Sequence, residues 1–163
     1  MFALVGRGAR YTYLTTNKTT YNKTIKMLFQ SKTDKKEWNP ELTSEQLHVL
    51  KDKGTEAPGT GKYLYNDRTG VYTCANCDAP LYRSETKFDS GCGWPAFNGE
   101  IKGALKYKKD FSHGMMRTEI MCAKCGGHLG HEFKGEGWNK RLNLPNDSRH
   151  CVNSLSLNFK KEE

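Results

Sequence analysis

A small, mainly β domain with two cysteine knuckles at one end is the fold this sequence predicts. Three observations carry the prediction. From Gly61 onward, short runs of β-forming residues alternate with turn residues. Only one stretch carries strong helix signals. Cys74-Ala-Asn-Cys77 and Cys122-Ala-Lys-Cys125 form two CxxC pairs with 44 residues between them.

In chain order, Thr43-Ser44-Glu45-Gln46 offers a capping box before Leu47, Val49 and Leu50, with Gly54 as a stop, so one short helix is expected there. Strands are expected at 63–65, 71–74, 81–83, 105–108, 115–122, 128–133 and 151–159. Along the last run Leu155, Leu157 and Phe159 recur at every second position, which predicts one continuous strand with Cys151, Asn153 and, at its start, Arg149 on the core face.

Charge is distributed unevenly. The formal net charge is +8, yet residues 1 to 33 hold six basic residues and no acid, leaving +2 for the rest. Two segments follow: a basic head, 1–33, and a folded domain, 34–163. The head is rich in Thr and Tyr and lacks the apolar core of a secretory signal. That composition suits a mitochondrial presequence, with a solvated basic tail as the alternative, and Met27 is an internal start that would remove most of it. Mitochondrial or cytoplasmic placement is expected. No apolar run is long enough to span a bilayer.

Two facing CxxC turns supply the four thiolates that Zn²⁺ prefers, and four protein ligands leave no position for a catalytic water. Cys74, Cys77, Cys122 and Cys125 are therefore expected to hold one structural zinc per chain. Tetrahedral iron also suits four thiolates, and one pair could instead be a redox couple, although the βαβ context of that motif is missing.

Cys92 and Cys151 stand apart from these pairs. An Arg149 guanidinium two residues from Cys151 on one strand face would favour the thiolate, whereas an isolated cysteine is otherwise a small buried hydrophobe. Lys87 to Phe97 is a glycine-loosened segment that presents Cys92 beside Trp94 and Phe97. His128-Leu-Gly-His131 adds two imidazoles, and in an extended strand His131 shares a face with Leu129 and Phe133 while His128 points away. His131 is then the acid, base or donor, or simply a core histidine.

The ordered set Gly54-Thr55-Glu56, Thr60-Gly61, Cys74-x-x-Cys77, Ser90-Gly91-Cys92-Gly93-Trp94-Pro95, Cys122-x-x-Cys125, His128-Leu129-Gly130-His131 and Arg149-His150-Cys151-Val152-Asn153-Ser154 resembles the B-type methionine sulfoxide reductases, from about residue 39 to 159. The resemblance implies a small Mss4-like antiparallel β-domain of two sheets. It also implies that Cys151 attacks the sulfoxide sulfur and becomes a sulfenic acid, that Cys92 resolves it as a disulfide, and that thioredoxin restores both thiols. Trp94 and Phe97 would line an apolar slot, with His131, His128 and Asn153 as donors to the sulfoxide oxygen and Arg149 holding Cys151 as thiolate. Free or protein-bound methionine sulfoxide would be the substrate, and the enzyme a monomer without nucleic-acid or membrane partners. Three positions depart from the family pattern: His150, Ala96 and Glu132. The 134–148 stretch is also longer and more polar than in many bacterial members. Two other classes share parts of this pattern: a zinc ribbon that binds nucleic acid or protein through the basic head, and a chaperone of small GTPases on the same fold. Neither needs Cys92, Trp94 and Cys151 together.

Overall fold

The computed structural model describes residues 37–162, so the basic head and the presequence reading lie outside the described residues. Thr43 caps α1 (Ser44–Leu50) as its sequence predicts: its hydroxyl accepts the Gln46 N–H at 3.2 Å and its own N–H reaches the Gln46 side chain at 3.0 Å. Val49 and Leu50 bury the inner side of this helix.

The strands are β1 (Gly70–Cys74), β2 (Pro80–Arg83), β3 (Lys87–Phe88), β4 (Ala96–Phe97), β5 (Leu105–Asp110), β6 (Arg117–Cys122), β7 (His128–Lys134), β8 (Ser148–Val152) and β9 (Leu157–Lys161). They form two antiparallel sheets, ordered β2-β1-β9 and β3-β4-β8-β7-β6-β5. One apolar core joins them, with Tyr72, Leu81, Tyr82 and Leu157 from the smaller sheet and Phe97, Ile120, Leu129 and Val152 from the larger.

Four expectations are corrected. Residues 63–65 form successive turns rather than a strand, because Leu64 N–H bonds back to Gly61 and Asn66 N–H to Tyr63. A second helix, α2 (Trp138–Arg141), occupies the polar 134–148 stretch, where Asp147 accepts the N–H groups of Gly137 and Trp138 at its start.

The run 151–159 is not one strand. It ends after Val152, makes a 3₁₀ turn over Ser154–Ser156, and resumes as β9 in the other sheet. The break has a buried cause. The Glu56 carboxylate accepts the N–H groups of Ser154 at 2.7 Å and Leu155 at 3.0 Å, and Ser154 Oγ accepts the N–H of Tyr63. Asn153, Ser154 and Ser156, which alternation alone would partly expose, are all buried and bonded.

The fourth correction concerns β7. Ile120 faces Gly130 while its neighbour Met121 faces His128, so Leu129 is an extra residue in the ladder, a β-bulge. One inserted residue reverses the side-chain alternation upstream of it. His128 therefore turns toward His131 instead of away, and the two rings lie 5.5 Å apart. Beside the bulge a Cβ on Gly130 would stand 1.9 Å from the Cys151 carbonyl oxygen, so only glycine lets β7 approach β8 this closely.

Candidate active site

Antiparallel pairing assembles the site. Cys151 on β8 lies opposite His131 on β7 and opposite Ala96 on β4, so a histidine borders it on one side and the Cys92–Pro95 turn on the other. Val152 N–H bonds to the Pro95 carbonyl at 3.0 Å and pins that turn to the catalytic strand. Gly93 has φ +91°, and a Cβ there would meet Pro58 at 2.9 Å, so the tight approach of the turn needs glycine. The sulfurs of Cys92 and Cys151 are both free and 3.7 Å apart.

A cavity of about 120 Å³ opens over Cys151, lined by Thr55, Trp94, Arg117, Gly130, His131, Phe133, Val152 and Asn153. Trp94 forms one apolar wall, its indole N–H fixed to the Glu56 carbonyl at 3.1 Å. His131 Nε2 bonds to Asp110 at 2.8 Å, and Asp110 is gripped in turn by Arg117 at 3.0 Å. Burial pushes the His131 pKa below its ordinary value, against the opposing pull of Asp110.

The expected residues divide into those that meet the cavity and those that do not. Cys151, His131, Trp94 and Asn153 line it. Asn153 is nonetheless committed to the fold: its side-chain oxygen accepts the Glu56 N–H and its amide donates to the Leu129 carbonyl, so it positions rather than donates to a ligand. Phe97 is a core residue, fully buried and stacked on Tyr82 at 4.2 Å; one residue after Ala96, its side chain falls on the opposite face of the sheet from Cys151. His128 does not reach the cavity either. It is buried behind His131, its Nδ1 bonded to Glu119 at 2.8 Å, and Glu119 also takes Lys53 at 2.6 Å.

Arg149 stands beside the thiols, but its charge is shared. Its Nε and Nη2 each bond a Glu136 carboxylate oxygen at 2.7 Å, and it lies over Phe133 at 4.4 Å. Cys92 shares a hydrogen bond with Cys151, bonds the Trp94 backbone and feels Arg149, and its pKa is lowered to about 5. The same contact and deeper burial raise the pKa of Cys151, against the pull of Arg149.

The four knuckle sulfurs lie within 4.8 Å of one another, with Cys74–Cys125 and Cys77–Cys122 each 3.6 Å apart. Thiolates around a tetrahedral ion at about 2.3 Å per bond have edges of about 3.8 Å, so this cluster fits a metal such as zinc. Each knuckle is closed by the same pair of backbone bonds: Asp78 N–H to Cys74 and Cys74 N–H to Ala79 in one, Gly126 N–H to Cys122 and Cys122 N–H to Gly127 in the other.

Asp110, Arg117, Glu119 and Glu136 were not singled out from the sequence. Each is a lone charged residue whose partner is distant along the chain or across a sheet, which leaves no local signal. Their clearest trace is Asp110 and Arg117 on either side of one hairpin turn.

Fold and site together define a thiol-based redox domain built on a four-cysteine scaffold. The SelR domain model matches residues 42–161. Peptide methionine sulfoxide reductase 2 of Saccharomyces cerevisiae is 58% identical over 143 residues, covering 87% of this chain and 84% of that protein. Peptide methionine sulfoxide reductase B5 of Oryza sativa subsp. japonica is 55% identical over 125 residues, covering 76% and 86%. MsrB of Alteromonas mediterranea is 46% identical over 129 residues, covering 78% and 87%. The chain belongs to the SelR family, the B-type methionine sulfoxide reductases. Among solved structures the Mis18 Yippee-like domain is similar at a TM-score of 0.44 and 12% identity, over 59% of this chain and 99% of that one.

Proposed function

We propose that this oxidoreductase reduces the R epimer of methionine sulfoxide to methionine through Cys151, with Cys92 as resolving thiol. The observation that carries the reading is the 3.7 Å contact between the two free sulfurs at the edge of a side-chain-sized cavity that also holds His131. Cys151 loses its proton to solvent and reacts as the thiolate, which the Arg149 charge favours. Cys151 then attacks the sulfoxide sulfur, and the oxygen passes to Cys151, releasing methionine and leaving a sulfenic acid; two electrons move from Cys151 to the substrate. His131 supplies the proton that the departing S–O bond needs, held in orientation by Asp110. Cys92 condenses with the sulfenic acid, forming a disulfide and expelling water. Closing that bond to about 2.05 Å draws the sulfurs together by about 1.7 Å.

Thioredoxin completes the cycle by thiol–disulfide exchange, its own dithiol becoming oxidised. One zinc held by Cys74, Cys77, Cys122 and Cys125 supplies folding energy and no chemistry. The reading extends to a monomer and to repair of oxidised proteins in mitochondria or cytoplasm. The test is stereochemical and covalent together. Racemic sulfoxide with dithiothreitol should lose only its R epimer, and enzyme trapped after one turnover should carry a Cys92–Cys151 crosslink. Survival of the R epimer, or a crosslink elsewhere, would refute it. Cys151→Ser should abolish turnover, while Cys92→Ser should release methionine once and stall with thioredoxin.

A further inference from the structure

The β5–β6 hairpin is anchored at the cavity but leaves its tip bare. Where its strands meet the turn, Asp110 holds His131 and Arg117 lines the cavity. Between them Phe111, Met115 and Met116 are 66%, 54% and 75% exposed, and they make up half of the large hydrophobic residues exposed among the described residues. Scattered apolar residues on a surface are ordinary; three within six positions beside a reactive cavity are not. Nor is the tip loose. Asp110 accepts the Ser112 N–H at 2.9 Å, Arg117 bonds both Asp110 and Ser112 Oγ at 3.0 Å, and Met115 N–H closes a 3₁₀ turn onto Ser112. Hydrogen bonds fix the shape, so the apolar side chains are displayed rather than packed.

We propose that this hairpin tip is the docking surface for the residues that flank an oxidised methionine in an extended polypeptide, and that it favours apolar flanks. The inference rests on the proposed sulfoxide chemistry. The cavity, about 120 Å³, is far below the roughly 300 to 1,000 Å³ of sites that enclose a whole small ligand. It therefore admits a side chain and leaves the substrate backbone at the mouth. Neighbouring residues follow at about 3.8 Å per Cα, and the tip begins one residue from Arg117 on the rim. An unfolded segment is also where buried methionine comes into reach together with apolar neighbours, which matches an apolar reader better than a polar one would.

The experiment compares three substrates with dithiothreitol as reductant: N-acetylmethionine R-sulfoxide, a pentapeptide with the sulfoxide between leucines, and the same peptide with serines. Wild-type enzyme should prefer the leucine peptide over the serine peptide by about tenfold in kcat/KM, since partly covering two large apolar side chains is worth roughly one decade. The double variant Phe111→Ser/Met116→Ser should lose that preference through KM and still reduce the acetylated amino acid at the wild-type rate. A variant that keeps the preference, or one that loses all three substrates equally, overturns the proposal. So does a defect seen only with thioredoxin, which would assign the tip to the reductant, or a change in oligomeric state on sedimentation, which would assign it to a second copy. Failure of the wild type on all three substrates would instead refute the sulfoxide chemistry itself.

Discussion

Removing Arg149 should move the ionisation of the thiol pair in a calculable direction. Cys92 is held near pKa 5 first by the hydrogen bond with Cys151 and, among further causes, by the Arg149 charge. Arg149→Met deletes the charge and leaves the bond. An adjacent cation is worth about one to three pKa units, and Glu136 already balances part of this one, so the expected rise is about one unit. At pH 5, where half of wild-type Cys92 is thiolate, the variant would hold about a tenth, and alkylation would slow about fivefold. Glu136→Gln should act in the opposite sense, because it exposes the thiols to the whole Arg149 charge, and it should do nothing further once Arg149 is gone. The other charged groups facing the pair are His131 with its Asp110, and Arg117; Arg141 acts on Glu136, and none of these is altered. The assay is iodoacetamide labelling of reduced, metal-loaded protein across pH, with Cys92 and Cys151 peptides resolved by mass. Superimposable wild-type and Arg149→Met profiles would refute the contribution of the Arg149 charge to Cys92 ionisation.

Glu56→Ala should destabilise the domain by about 3 kcal/mol in urea unfolding, since two charge-assisted bonds to Ser154 and Leu155 disappear inside the fold. If protonated His131 is the acid, single-turnover rates should fall as pH rises through its depressed pKa; Asp110 raises that pKa, so Asp110→Asn should move the falling limb to lower pH, and an unmoved limb would exclude His131. Metal analysis should find one zinc per chain, and Cys77→Ser should lower both zinc content and melting temperature; a metal-free protein with an unchanged melting curve would contradict a structural ion.

What could be read from the sequence was local. The knuckles, the Thr43 capping box and most strands declare themselves within a few residues, and the knuckle spacing needs no knowledge of the rest of the chain. The errors that bear most on the site involve a partner far away. Residues 151–159 alternate well enough to be one strand, and what breaks them is a carboxylate nearly a hundred positions upstream. His128 and His131 fall on opposite faces of any regular strand, and only the pairing with β6 reveals the extra Leu129 that brings them together. Phe97 sits in the motif that presents Cys92, yet the pleat of β4 turns it into the core. Glu132 and His150, two of the three departures from the family pattern, are cross-strand partners 3.5 Å apart, a pairing that neither position announces alone.

The two cysteine sets, so separate in sequence, are mechanically continuous. The second knuckle runs almost directly into β7, with Cys125 three residues before His128, and β7 carries the bulge that sets His131. The first knuckle grips the segment that follows the strand of Cys151: Ala75 N–H bonds to the Ser156 carbonyl at 2.9 Å, and Cys74 pairs with Leu157 at the start of β9. Ser156 is five residues from Cys151, and its hydroxyl donates to the His128 carbonyl at 3.0 Å. A metal ion joining the knuckles would therefore tie the start of β7, which carries His131, to the turn that follows β8, which carries Cys151. Cys125→Ser should show this before it shows unfolding. Amide exchange should quicken in 128–131 and 151–156, and single-turnover reduction should slow while α1 stays protected. Uniform loss of protection across the domain would mean that the ion stabilises the fold without any particular bearing on the site.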